Sequence, residues 1–493
     1  MMLNRQGSAS FASSCDWAAG ASRKSLLTAM FLMLLAGCAA LVLYAGLHHR
    51  VLVALSMAGI IITIYPVYRG VREGSLDLFE PPVIAALLTY SELLRPLFWL
   101  SLGGTILPGY DVSPEQVFRA CVRASICVYV GFAVYYLVYY GLPPVRRLSS
   151  AFPRFKPSWS KSRLWVVVLA YLAIGVASYA IFMWQVGGLG YFLSHVNIRN
   201  EVSQGTGPVM EGIQAMAAAW VIAFIYASVH RKKLWPYLLM GIPVLALLST
   251  LGGRGFLLYP VLLCLICHHY LARRISLARL AVIAVCFVTF AVGYKTLRDS
   301  AATERQVGMQ VLGESKWAPA DLLTQLFQEQ TSLDAFAVLI DDMPAHLQFQ
   351  WGRTWLNLLT LPVPSKLWTG KPAILEGHVF GEIYFDESSG RPPGYAGVLY
   401  MNFGYLGIVP GFALLGVFHK YLYRYLKNNR SNGMAVCLYA LTATTLYDFS
   451  NIQIIHWLYW GPWLLLAFGL IGTRSVLHRR TYPQASVPVG LEA

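Results

Sequence analysis

The sequence predicts an all-α polytopic integral membrane protein with about 12 transmembrane helices. Three observations lead there. Hydrophobic side chains make up 57% of the 493 residues, charged ones only 12%, and mean hydropathy is +0.54. Apolar runs of about twenty residues recur along the chain, each enough to cross a ~30 Å hydrocarbon core as a helix. Basic residues gather in short segments between those runs, at Arg146 to Arg163, His230 to Lys233, Arg273-Arg274, Lys420 to Arg430 and Arg479-Arg480. Cytoplasmic loops of membrane proteins carry this bias. Backbone in lipid must satisfy its own hydrogen bonds, which a helix does within one segment. The alternating pattern of an outer-membrane barrel is absent.

Read in order, residues 1–24 form a cytoplasmic N-terminal tail, and 25–295 carry the first nine helices. Their apolar runs lie at 25–46, 51–68, 83–104, 115–141, 164–184, 209–229, 235–250, 255–271 and 277–295. The third is interrupted by Glu80-Pro81-Pro82 at its start and by Glu92 and Arg95 within it, which marks it as broken or re-entrant. Residues 296–397 form one large outer loop with short helices, and a loop of that length is usually functional. Within it, 318–340 has helical apolar spacing behind a Pro/Asp start, as expected of a helix lying flat on the bilayer. The last three helices fall in 398–473, at 398–421, 433–450 and 456–473, and 474–493 form a cytoplasmic C-terminal tail. Both termini then face the cytoplasm, with every basic cluster inside. There is no internal repeat of the kind many transporters show.

The net charge of +15 does not imply nucleic acid, because the cations sit between apolar runs rather than along one stripe. Leu-Leu-Ala-Gly-Cys at 34–38 matches a lipoprotein signal, yet the apolar run continues to residue 46, as in an ordinary first span. Cys264-Leu-Ile-Cys267-His268 has the spacing of haem attachment but falls at the cytoplasmic end of a helix, so no haem is expected. The eight cysteines lie mostly in apolar runs, as buried unpaired thiols do. No cofactor or metal motif is present.

The charges left outside carry the chemistry. Arg254 interrupts two apolar runs in Leu-Gly-Gly-Arg-Gly-Phe at 251–256, on the side that otherwise lacks positive charge. Arg199 and Glu201 lie in the 185–208 loop, Lys295 and Arg298 close the ninth span, and the large loop adds Arg353, Lys366, Lys371 and Arg391. Arginine grips phosphate oxygens through a planar fork and stays charged, and flanking glycines let backbone N–H groups approach the same anion. Arg199, Arg254, Arg298, Lys366 and Lys371 are therefore candidate diphosphate-binding residues. The alternative for each is snorkelling to headgroups or pairing with an acid of the loop. Three prolines and Trp368 stiffen 361–373, which carries both lysines and equally resembles an interfacial anchor.

Gly-Gly-Leu-Gly-Tyr-Phe-Leu…Asn-Ile-Arg (187–199), Gly-Gly-Arg-Gly (252–255), Leu-Pro-Val-Pro-Ser-Lys-Leu-Trp-Thr-Gly-Lys-Pro (361–372) and Leu-Tyr-Met-Asn-Phe-Gly-Tyr-Leu-Gly (399–407) occur in that order. Together they resemble the Wzy-type O-antigen and oligosaccharide repeat-unit polymerases, over about residues 80 to 420. The resemblance implies a GT-C-like, metal-independent glycosyltransferase of the bacterial inner membrane, with the large loop periplasmic. Such an enzyme joins undecaprenyl-diphosphate-linked glycans and works with a chain-length-regulating copolymerase. It also implies that Arg199 and Arg254 engage diphosphate and act in catalysis. Family members often have Pro-Arg before the tryptophan, where this chain has Pro364-Ser365-Lys366, so a two-pronged grip is in doubt there. A general base for the acceptor hydroxyl is sought among His378, Glu376 and Glu382, with His378 favoured. The rival readings are an O-antigen ligase-type transferase and a transporter or flippase for lipid-linked sugars; Glu92, Arg95 and Asp448 within apolar runs support the latter.

Overall fold

The computed structural model describes residues 47–101, 112–143, 158–195, 205–251, 253–276, 332–361, 376–385 and 392–473, with isolated residues between them. Within these the protein is an all-α, multi-pass membrane protein; the one sheet is a two-residue antiparallel pair, Ser158–Trp159 with Gly472–Thr473. Six helices are long and apolar enough to cross a membrane by length and composition: α1 (Leu47–Arg72, apolar from His48), α5 (Pro114–Gly141), α6 (Lys161–Gln185), α8 (Gly207–Val229), α15 (Tyr405–Asn428) and α17 (Asn451–Ile471). Three shorter apolar helices accompany them, α9 (Trp235–Ser249), α10 (Arg254–Leu271) and α16 (Gly433–Thr445). The first expected span, 25–46, and most of the ninth, 277–295, lie outside the described residues.

The expected third span is broken into α2 (Pro81–Leu88), α3 (Tyr90–Leu93) and α4 (Arg95–Ser101). Pro81 and Pro82 open α2 behind Glu80, where missing N–H groups cost nothing. The breaks fall at Thr89 and at Leu94, which leave the helical region. Close approach explains what holds this element. A Cβ at Gly59 of α1 would lie 1.9 Å from the Leu93 carbonyl oxygen, and that same oxygen accepts the Tyr129 hydroxyl of α5 at 3.0 Å. Small residues also seat α8 against α6. A Cβ on Gly175 would lie 2.7 Å from the Met216 backbone nitrogen, and one on Gly212 would meet Ser178, which is the small-residue packing of membrane helices. Gly212–Ser228 of α8 is consequently buried on every side.

Two expectations change. The tenth span does not run 398–421: α14 (Gly394–Phe403) ends at Gly404, which takes a φ of +62°, and a new helix, α15, starts at Tyr405. The second change is partial: residues 318–331 of the expected loop helix lie outside the described residues, and only its end can be compared with a flat placement on the bilayer. Its described part, α11 (Ser332–Asp342), packs against α5 and α14 and is buried throughout Leu333–Ile340. Its acids fasten it there. Arg95 and Asp334 form a buried pair with two hydrogen bonds, Asp341 accepts from Gln116 Nε2 at 2.6 Å with Arg123 at 3.5 Å, and Asp342 is bonded by Tyr384 and His346.

The buried side chains form two main clusters. One joins α6, α8, α10, α16 and α17; the other joins α1, the broken element, α5, α11 and α14. The rest of the loop is stitched onto the same end of the second cluster. Asn402 accepts from Gly352 N at 2.9 Å and donates to Thr354 Oγ1 at 2.8 Å, while Asn451 Nδ2 donates to the Thr354 carbonyl at 2.8 Å.

Candidate functional site

Of the residues expected to bind diphosphate, Arg199, Arg298 and Lys366 lie outside the described residues. Arg254 is the first residue of α10, with Gly253 at the N-cap and no side-chain cap among the described residues, so the positive end of the helix dipole lies where the sequence places the cation. The Arg254 side chain is not among those described; nor is that of His378, although its backbone sits on α13 (Glu376–Phe385). Lys371 donates from Nζ to the Val363 carbonyl at 2.9 Å, closing the stiff loop on itself. Its ammonium is therefore at least partly engaged in holding that loop. Arg353 is exposed at the start of α12 (Arg353–Asn357).

The structure assembles a second set of groups that the sequence scatters. Tyr259 lies five residues into α10, about 7 Å along the axis from Arg254. Its hydroxyl donates to Gln453 Oε1 at 3.2 Å or to His456 Nδ1 at 3.1 Å, and Gln453 Nε2 donates to the Tyr447 hydroxyl at 2.8 Å. Asp448, between α16 and α17, is buried, and its Oδ1 accepts from the Ser450 amide at 2.8 Å and the Ser450 hydroxyl at 2.6 Å. Its charge is felt by Glu92, Glu376, Tyr259, Tyr395 and Tyr447.

Glu376 is the clearest of these groups. It opens α13, is 3% exposed, and accepts the Asn451 amide at 3.1 Å. That amide is an orphan donor at the start of α17, whose N-cap Ser450 makes no side-chain cap, so Glu376 serves as the cap from another element. Burial raises its pKa from 4.5 to about 7; the Asn451 hydrogen bond and its own backbone oppose the rise, and the Asp448 charge adds to it. Glu92 on α3 is half-buried against Gly394, where a Cβ would lie 2.5 Å from a carboxylate oxygen. Gly394 also has a φ of +67°, so only glycine suits that position. The Asp448 charge thus links acids on α3 and α13 with Tyr259 of α10.

An apolar cavity of about 600 Å³ adjoins them. Trp351, Trp355, Tyr395, Phe403 and Phe449 line it, with Leu406 and Leu414 exposed at its mouth. Phe449 follows Asp448 and Tyr395 follows Gly394, so the groove shares backbone with the acidic centre. Trp355 Nε1 donates to the Phe449 carbonyl at 2.8 Å and fixes one wall. Exposed apolar side chains in such a groove suit a hydrocarbon ligand or lipid. The haem-like Cys264 and Cys267, by contrast, are buried in the first cluster.

Sequence reasoning places Glu92 and Asp448 as isolated exceptions and ranks Glu376 below His378; it omits Tyr259, Gln453 and His456. Polar residues within apolar runs are the signal that would have found them. Comparison with known proteins gives no match to any family model, curated protein or solved structure.

Proposed function

We propose that this protein is a metal-independent glycosyltransferase that polymerises undecaprenyl-diphosphate-linked oligosaccharide repeat units at the outer face of the bacterial inner membrane. In this reading it crosses the membrane about twelve times, keeps both termini in the cytoplasm, and releases undecaprenyl diphosphate, its chain length set with a copolymerase. The observation that carries the proposal is the buried Glu376 carboxyl, which caps α17 at Asn451, two residues after Phe449 of the apolar groove.

Each part has a role in that reaction. The acceptor sugar hydroxyl attacks the anomeric carbon of the donor glycan, the bond to diphosphate breaks, and the hydroxyl proton passes to a base. A carboxylate with a pKa of about 7 is matched to accept that proton at neutral pH. The leaving diphosphate gathers negative charge, and in this reading the task of meeting it falls to the start of α10 and to the cation that Arg254 carries there. The aromatic groove holds isoprenoid carbon. Glu376 thus replaces His378 as the favoured base, with Arg199, Arg298, Lys366 and Lys371 as further diphosphate contacts.

A second reading, a flippase or transporter of lipid-linked sugars, is favoured by Glu92 on a broken helix next to buried Asp448. The test is polymer formation in a strain lacking the protein, complemented with native chain, Arg254→Ala, Arg254→Lys and Glu376→Gln at matched membrane levels. Glutamine retains the oxygen that accepts from Asn451 but no longer takes a proton. Glu376→Gln is expected to slow polymerisation by about 10²- to 10⁴-fold, and Arg254→Ala by about a hundredfold or more. Long glycan made at native rates by both variants would sink the reading. Lipid-linked units trapped on the cytoplasmic side of the deletion strain would establish the flippase instead.

A further inference from the structure

At the other end of α10, about 25 Å from Arg254 at 1.5 Å per residue, lies a second cavity that the reaction above does not use. It encloses about 630 Å³ between the turn after α1, the end of α10 and the end of α15, on the face that the charge pattern assigns to the cytoplasm. Arg274, Lys427 and Arg430 stand at its rim, and Asp77, His269 and Tyr423 form its floor. Loop cations normally spread over a surface. Here the ends of α10 and α15 bring them round a concave site with a partly buried polar floor.

The hydrogen bonding of that floor shows which charge the site takes. Among the described residues Asp77 is the one acid lining the cavity, and its oxygens are already occupied: Tyr270 donates to them at 2.8 and 2.9 Å, Tyr423 at 2.8 Å and the Phe79 amide at 3.2 Å. Arg430 comes only to 4.0 Å of Asp77, and among the described residues no carboxylate lies within 4.0 Å of Arg274 or Lys427. Nδ1 of His269 accepts the Ile275 amide at 3.1 Å, so the neutral ring carries its proton on Nε2 and is a donor. Lys427 lies over the Tyr423 ring at 4.4 Å, and Arg430 over the Tyr270 ring at 5.8 Å. The tyrosines thus hold the acid and help place two of the cations. What remains is a pocket of donors with a surplus of positive charge.

We infer that this cavity binds a phosphate or diphosphate group, carried by a membrane headgroup or by a soluble phosphate compound. Arg274 and Arg430 grip its oxygens, Lys427 balances its charge, and His269 donates from the floor.

The protein in nanodiscs of phosphatidylcholine is titrated with inorganic pyrophosphate, and binding is followed calorimetrically for native chain and for Arg274→Gln/Arg430→Gln. Both arginines lie on exposed positions, and helix content and melting temperature check that the variant folds. Saturable binding is expected, weakened about tenfold or more in the variant, about 1.4 kcal/mol or more. In a second arm phosphatidylglycerol replaces part of the lipid, and retained lipid is counted by native mass spectrometry. Phosphatidylglycerol held by native chain, lost in the variant and displacing pyrophosphate assigns the site to a headgroup. Pyrophosphate binding that persists in that bilayer assigns it to a soluble phosphate. Native chain and variant binding both probes equally, or native chain binding neither, overturns the inference. The readout is binding alone, so it stands or falls separately from polymer formation.

Discussion

A carboxyl that is buried, bonded by one backbone amide and repelled by a second acid holds its proton near neutrality, and Glu376 is in that position. Its folded pKa of about 7 lies above the ordinary 4.5, so between those values the folded chain binds a proton that the unfolded chain has lost. The stability this gives is present in full below about 4.5 and is lost as pH rises through about 7. Melting temperature should therefore fall across pH 5 to 8 more steeply in native protein than in Glu376→Gln; equal slopes would remove the shifted carboxyl. If Glu376 is the base, activity should decline as pH falls below about 7, with that limb missing from the residual activity of Glu376→Gln. The sequence favours His378 over Glu376 and Glu382, all within seven residues, because the burial of Glu376 is set by chain far away, here Asn451 at the start of α17. Arg254 draws notice in the sequence by contrast, since a cation in an otherwise apolar turn needs no tertiary information to stand out, and its side chain lies outside those described.

Elements were legible where apolar length and punctuation agree. The long helices α1, α5, α6 and α8 fall near the expected runs, and the prolines before α2 correctly announce a broken third span. The expected 398–421 helix fails because the apolar run resumes on both sides of Asn402 and hides the break, while Gly404 turns the chain through a positive φ. The loop helix fails for another reason. Amphipathic spacing in 318–340 shows an apolar face but not what covers it, and over its described end, 332–340, the cover is α5 and α14. Its acids look like solvent-facing residues until Arg95 and Gln116 are brought to them. Removing one partner of the Arg95–Asp334 pair leaves a buried charge unmet, so Asp334→Ala should cost about 3–5 kcal/mol. The double change Arg95→Met/Asp334→Leu should recover most of that. Melting in detergent checks both, and a single variant as stable as native protein would show that the pair does not dock the loop.

At the scale of the whole molecule, a multi-pass helical bundle follows from composition alone, because 57% hydrophobic side chains cannot be hidden in a soluble fold of ordinary charge. Orientation rests on the basic clusters, and it has its own test. On a background lacking the eight natural cysteines, Trp351→Cys should react with an impermeant maleimide in intact spheroplasts, and Asn428→Cys only after lysis. Both positions are exposed, so the reverse result would invert the protein in the membrane.

The division of the interior into two apolar clusters has a consequence for water. Neither cluster admits it, since each is lined by close-packed hydrocarbon and aromatic rings. Between them Gln453 bonds Tyr259, which belongs to the first, and Tyr447, which packs on the second, with Asp448 and Glu92 alongside. That line of polar groups is where hydration of the bundle is least unfavourable. Among the described residues it makes the contact between the two clusters a polar seam, where an entering water would find hydrogen-bonding partners.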